Sequence, residues 1–171
     1  VFIYDMGQNM VGWCRLKVQG PKGTPVRLRH AETLNEDGTL YMANLRGANC
    51  EDTYILKGGD VEVYEPRFTY HGFRFVEITG FPGTPGLDAL EGCVVHDAVE
   101  RVGWFETSNA LLNQLHENIV WGIRGNYRSF PTDCPQRDER QAWLGDRSEE
   151  CRGESYVYNI APLYAKWMQD I

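Results

Sequence analysis

The hydrophobic period of this chain changes once, and that change limits the folds open to it. Up to about Asp97, apolar and polar residues alternate, as in Val1-Phe2-Ile3-Tyr4, Trp13-Cys14-Arg15-Leu16-Lys17-Val18 and Val26-Arg27-Leu28-Arg29-His30. That is the pattern of strands with one buried face. Thr53 to Leu56, the aromatic run from Tyr64 to Ile78, and Leu90 to Val95 extend it, with turn signals at Pro21-Lys22-Gly23, Gly58-Gly59 and Pro82 to Gly86. Beyond Glu106 the period becomes helical. Thr107-Ser108-Asn109 offers an N-cap, and Leu111, Leu112, Leu115, Ile119 and Ile123 recur at helical spacing up to Gly125. A second helix is predicted from about Asp146 to Tyr158 and an amphipathic third from Leu163 to Ile171. The fold class is therefore mixed, β then α: an antiparallel β-sandwich over residues 1–97, then a helical part over residues 98–171.

Within the β half, Leu34 to Asn49 reads as a long connection, and Asn35-Glu36-Asp37-Gly38 as a plain turn, since the spaced acids and terminal glutamate of a calcium loop are missing. His30, His71 and His96 sit singly on strands or strand ends, so each is expected to be a satisfied polar residue at the sheet rim and not a ligand. The five cysteines, Cys14, Cys50, Cys93, Cys134 and Cys151, have irregular spacing and no CxxC, which favours thiols acting as small hydrophobes over zinc ligation or a disulfide framework. No metal or cofactor is expected. The net charge of −7 argues against a nucleic-acid surface, and no stretch reads as a membrane span or signal peptide. The chain opens on Val1 in mid-strand and holds about three helices, so it is expected to be an internal fragment whose segment beyond Glu106 exposes apolar surface. Compartment and oligomeric state are not legible.

The densest chemistry lies in PTDCPQRDERQAWLGD, from Pro131 to Asp146. Pro131 and Pro135 restrict the backbone around Asp133. Glu139, Trp143 and Asp146 are spaced four and then three residues apart, which places them on one face if a helical turn forms there. Two carboxylates flanking an indole suit a sugar: the ring's C–H face stacks on the indole and its hydroxyls donate to the acids. The bland reading is a salt-bridged, solvated helix of Arg137, Asp138, Glu139, Arg140 and Arg147 with Trp143 turned into a core.

The same residues, Pro131 to Arg140 with Trp143 and Gly145-Asp146, resemble the signature of the bacterial α-L-rhamnosidases, glycoside hydrolase family 78. Asp5 to Trp13 (DMGQNMVGW) and Tyr64 to Arg74 (YEPRFTYHGFR) are similar to two further motifs of that family, so the resemblance covers essentially the whole chain. It implies a concanavalin-like β-sandwich leading into the first helices of a truncated (α/α)6 barrel, a six-hairpin glycosidase. It also implies inverting hydrolysis of terminal α-L-rhamnose, with Glu139 as general acid and Asp133, Arg137, Trp143 and Asp146 binding the rhamnosyl ring. The partner would be a rhamnose-containing glycoside or polysaccharide. The family's general base is a glutamate much later in the barrel and matches no residue here; Glu149, Glu150 and Glu154 read as a solvated helix face, and the chain alone is expected to be inactive. Two other classes stay open: another (α/α)6 carbohydrate enzyme, such as a fucosidase or an unsaturated glucuronyl hydrolase, and a non-catalytic carbohydrate-binding module using Trp13, Tyr64 or Tyr70.

Overall fold

The computed structural model describes residues 1–171, which divide into two compact units: Val1–Val95 with Gln136–Asp138, and His96–Pro135 with Glu139–Ile171.

The first unit is one six-stranded antiparallel sheet. Its strands are β1 (Phe2–Val18), β2 (Pro25–Ala31), β3 (Glu51–Ile55), β4 (Glu62–Tyr64), β5 (His71–Thr79) and β6 (Leu90–Val94). The order is β3-β2-β5-β1-β4, with β6 on β1 as well. The two alternating stretches, Val1 to Tyr4 and Trp13 to Val18, flank the motif that begins at Asp5. They form one strand, because a register shift between Asp5 and Met10 takes up the irregular residues and lets the strand run on. The long strand serves β5 over Phe2–Gly12 and, on its other edge, β6 over Gly12–Leu16. The aromatic run is split in the opposite sense: Glu62–Tyr64 and His71–Thr79 are separate strands.

Alternation sets the burial. Cys14, Leu16 and Val18 point inward while Arg15 and Lys17 point out, and Val26 and Leu28 of β2 are buried, as are Phe73, Val76 and Ile78 of β5, with Leu28 opposite Ile78. Each such side chain contributes roughly 1.5–3 kcal/mol on burial. The expected sandwich takes the form of a single sheet curled on itself, since Tyr54 of β3 reaches β4: its ring stacks on Tyr64 at 4.5 Å and its hydroxyl donates to Glu62 Oε2 at 2.6 Å.

The histidines differ from expectation. His30 and His71 are buried, not at a rim, and their rings stack at 4.1 Å and 14°. Asp52 bonds His71 Nε2 at 3.0 Å. His96 alone is half-buried, beside the Asp97 carbonyl. Burial first, and the neighbouring His71 second, push the His30 pKa down to about 3 from 6.5. An unfolded chain takes up that proton below about pH 6.5 and the folded chain only near pH 3. Stability is therefore complete above pH 6.5 and lost on acidification towards pH 3, by at most about 1.4 kcal/mol per pH unit. Denaturant unfolding at pH 7 and pH 5 should show a smaller loss for His30→Gln than for the natural chain; equal losses would contradict this origin.

In the second unit the helices are α1 (Ala110–Gly125), α2 (Leu144–Ser155) and α3 (Ala161–Asp170). The Asn109 side chain accepts the Leu111 N–H, the predicted N-cap. Pro162 in the first turn of α3 requires no amide donor there. Val120, Tyr127, Val157, Tyr158 and Leu163 form the core, closed by Val102 and Gly103 N–H groups donating to Val157 O. The helical stripe Leu111, Leu112, Leu115 and Ile119 is exposed, as are Trp104 and Phe105. No helix is long and apolar enough to cross a membrane.

Candidate active site

The site stretch is anchored where α1 ends. Thr132 is 1% exposed; its N–H donates to Asn126 O at 2.8 Å and its hydroxyl to Asn126 O and Oδ1, both at 3.1 Å. Asp133 and Gln141 then close a neck. The Asp133 N–H donates to Gln141 O at 2.9 Å, and the Gln141 N–H donates to Asp133 Oδ1 at 2.6 Å. Residues 134–140 are the loop between. Arg140, at φ 52°, supplies the reversal that returns the chain to the neck, a backbone setting that costs a non-glycine residue about 1–2 kcal/mol and persists because the neck bonds hold it.

Glu139 is half-buried, and its Oε1 accepts the Trp143 indole N–H at 3.0 Å. Trp143 is 51% exposed, so the bland reading with this ring in a core does not hold. The shared helix face is also corrected. The helix begins at Leu144 with Trp143 as its N-cap, and Glu139 lies in the loop, because the left-handed Arg140 interrupts helical backbone between them. Their contact is a side-chain hydrogen bond across that turn. Asp146 is exposed in the first turn of α2, where a carboxylate is favoured by the helix dipole. Arg137 belongs by its contacts to the first unit; there its neighbours Gln136 and Asp138 accept from Cys50 Sγ at 3.2 Å and Gly47 N–H at 3.1 Å.

Potential ligand atoms of Asp133, Cys134 and Glu139 lie within 4.8 Å of one another. Both carboxylates already accept protein N–H groups, so the cluster is a hydrogen-bonded one. The buried group His30, Asp52 and His71 is equally compact. Its near-parallel rings cannot both aim a lone pair in plane at one ion, and the stack is packing.

Sequence reasoning missed the support beneath the loop. Glu154 does not belong to a solvated face: it is 3% exposed, whereas Glu149 and Glu150 are exposed as expected. Arg147, two turns earlier and 5% exposed, donates from Nη1 to Glu154 Oε1 at 2.5 Å and from Nη2 to Thr132 O at 3.2 Å. Tyr164 donates to Glu154 Oε2 at 2.6 Å. Burial, and after it the Glu154 carboxylate, hold the Tyr164 and Tyr127 hydroxyls well above the usual tyrosine range. The one available signal was the seven-residue spacing of opposite charges on one helix. Among the aromatics of the sheet, Trp13 donates to Glu65 Oε2 at 2.8 Å and Tyr64 is stacked on Tyr54.

Several α-L-rhamnosidases are similar to this chain along essentially its whole length. An α-L-rhamnosidase of Streptomyces avermitilis is 54% identical over 171 residues, all of this chain and 17% of the relative, and one of Formosa agariphila is 44% identical over 99% of the chain and 18% of its own length. The chain thus spans less than a fifth of those relatives. Two solved structures superpose closely. The Streptomyces avermitilis α-L-rhamnosidase complexed with L-rhamnose has a TM-score of 0.95 at 54% identity, over 98% of this chain and 16% of that one. The Dictyoglumus thermophilum α-L-rhamnosidase has a TM-score of 0.96 at 50% identity, over 99% and 19%. The concanavalin-like domain model of the bacterial α-L-rhamnosidases matches residues 1–96, and their six-hairpin glycosidase domain model matches residues 100–171. With more than half of its residues matched by the first model and nearly all the rest by the second, the chain belongs to the bacterial α-L-rhamnosidase family.

Proposed function

We propose that this chain is part of an inverting α-L-rhamnosidase, a concanavalin-like domain joined to an (α/α)6 barrel, in which Glu139 is the general acid. The observation that carries the reading is the Glu139–Trp143 pair: a carboxyl oxygen fixed by an indole N–H, beside a ring with half its surface open to solvent. An indole face suits a 6-deoxy sugar, whose methyl group gains from leaving water. Asp133, Arg137, Trp143 and Asp146 bind the rhamnosyl ring. Support comes from the relatives' names and from the relative crystallised with L-rhamnose.

In the step, the Glu139 carboxyl gives its proton to the glycosidic oxygen as the C1–O bond breaks. Water attacks C1 from the opposite face and loses its proton to a second carboxylate. Inverting pairs stand roughly 6.5–9.5 Å apart to leave space for that water. Asp133, with a ligand oxygen within 4.8 Å of Glu139 and another bond to Gln141, is too close to be that base. The resemblance to the family puts the base on a glutamate much later in the barrel, outside this chain, so the chain alone is expected to release no rhamnose.

The test is the anomer first formed when the whole protein hydrolyses an aryl α-L-rhamnoside, followed by proton NMR before mutarotation. β-L-Rhamnose is expected. First release of the α-anomer, or no release, would count against the reading.

A further inference from the structure

We infer that the buried Arg147–Glu154 pair is a positioning device for the site, acting through the Thr132 carbonyl on the neck that carries Asp133 and Glu139; the inference rests on the reading of Glu139 as the acid.

A buried ion pair needs a reason, since apolar residues of the same volume are often at least as stable. Here its members have a division of labour. Glu154 is held by Tyr164 from α3 and, in turn, holds Arg147 Nη1. The guanidinium is rigid and planar, so fixing one nitrogen aims the other. Nη2 is aimed at Thr132 O, the residue preceding Asp133, and also reaches Glu150 Oε2 at 2.8 Å. On the other side Asn126 takes both the Thr132 N–H and its hydroxyl. Thr132 is thus gripped from α1 and α2 at once, and the two Asp133–Gln141 bonds begin at the next residue. From Gln141 the path to Trp143, and through its indole N–H to Glu139, is two residues long. No part of Arg147 or Glu154 is needed to touch sugar. Lysine at position 147 could not replace the fork, because one nitrogen would have to serve two oxygens on different elements.

The experiment uses the whole protein. The double variant Arg147→Met with Glu154→Gln removes both charges together and keeps an acceptor for Tyr164, so the fold is not left with an unpaired buried charge. Amide hydrogen exchange is followed at residues 132–141 and, as internal reference, at residues 110–125 of α1. The expected result is exchange at Asp133 and Gln141 faster by about tenfold or more with α1 unchanged. Where hydrolysis is measurable, kcat falls by about 10–100-fold, as for a misplaced catalytic group, while KM changes less. Unaltered protection at Asp133 and Gln141 in the folded variant, or loosening spread equally over α1 and the loop, would overturn the proposal and leave the pair purely structural. Should the double variant fail to fold, Arg147→Lys is measured in the same way: faster exchange confined to the neck supports the proposal, and unaltered or evenly spread exchange overturns it. Absence of rhamnosidase activity in the natural protein would sink the functional reading alone, since the exchange comparison does not depend on turnover.

Discussion

Replacing Glu139 by glutamine in the whole protein is expected to lower kcat by about 10²–10⁴-fold on rhamnosides with a sugar or alkyl leaving group, the usual contribution of a positioned acid. The loss should be much smaller on a nitrophenyl rhamnoside, whose leaving oxygen needs little protonation. Glutamine keeps an amide oxygen for the Trp143 indole N–H, which Glu139 Oε1 now accepts at 3.0 Å. The substitution therefore removes the proton and leaves the arrangement of the ring intact, so KM should change little. Steady-state kinetics on the two substrate classes separates the roles. An equal loss on both would mean that Glu139 shapes the site without donating a proton, and an unaffected kcat on the alkyl rhamnoside would remove it from the mechanism.

The second large effect is structural. Gly12 sits where β1 is paired on both edges, with His71 of β5 and Val94 of β6. A Cβ at that position would lie 1.8 Å from Cys93 O and 2.9 Å from its carbonyl carbon, and the φ of 156° is one that side-chain-bearing residues rarely adopt. The obstacle is backbone, which cannot rotate aside. Gly12→Ala must push β6 away and lose the Val95 N–H bond to Val11 O, now 2.9 Å. We expect a cost on the order of 4 kcal/mol, near the upper end for single substitutions. Gly7 provides the control. Its φ of 79° is also positive, but a Cβ there meets nothing within 4 Å, so Gly7→Ala should cost only about 1–2 kcal/mol in backbone strain. Denaturant midpoints of the two variants decide it; similar losses would show that the close approach of β6 is not what demands glycine at position 12.

How far the sequence reaches can be judged from particular residues. Helix α1 was readable because both of its signals are local: an Asn109 cap and a repeating apolar stripe. Leu111, Leu112, Leu115 and Ile119 of that stripe are exposed, in keeping with the apolar surface expected beyond Glu106, and Val120 beside them is the buried position. The register shift that carries β1 past Gly7 is a property of its pairing with β5 and is visible only once that partner is known. The His30–His71 stack depends on pairing between strands distant in sequence, and no single-strand pattern reports it.

The site shows the same division. The motif named Glu139 and Trp143, and their four-residue spacing suggested one shared helix face; the two are instead hydrogen-bonded across a turn, with Glu139 outside the helix. Asp133 could be named from the motif, whereas its two bonds to Gln141 could not, because they are made by backbone groups that every residue carries. Arg147 and Glu154 were hidden for the opposite reason: charges on a polar helix are usually solvated, and only tertiary packing shows that these two are enclosed.

The most direct measurement is a crystal structure of the whole protein with bound L-rhamnose. The pyranose ring is expected to lie against the Trp143 indole, with its anomeric oxygen within hydrogen-bond distance of Glu139 and its ring hydroxyls on Asp133 and Asp146. Rhamnose bound on the curled sheet, or stacked on other aromatics with Glu139 out of reach of the anomeric oxygen, would contradict the assignment of Glu139 as the acid.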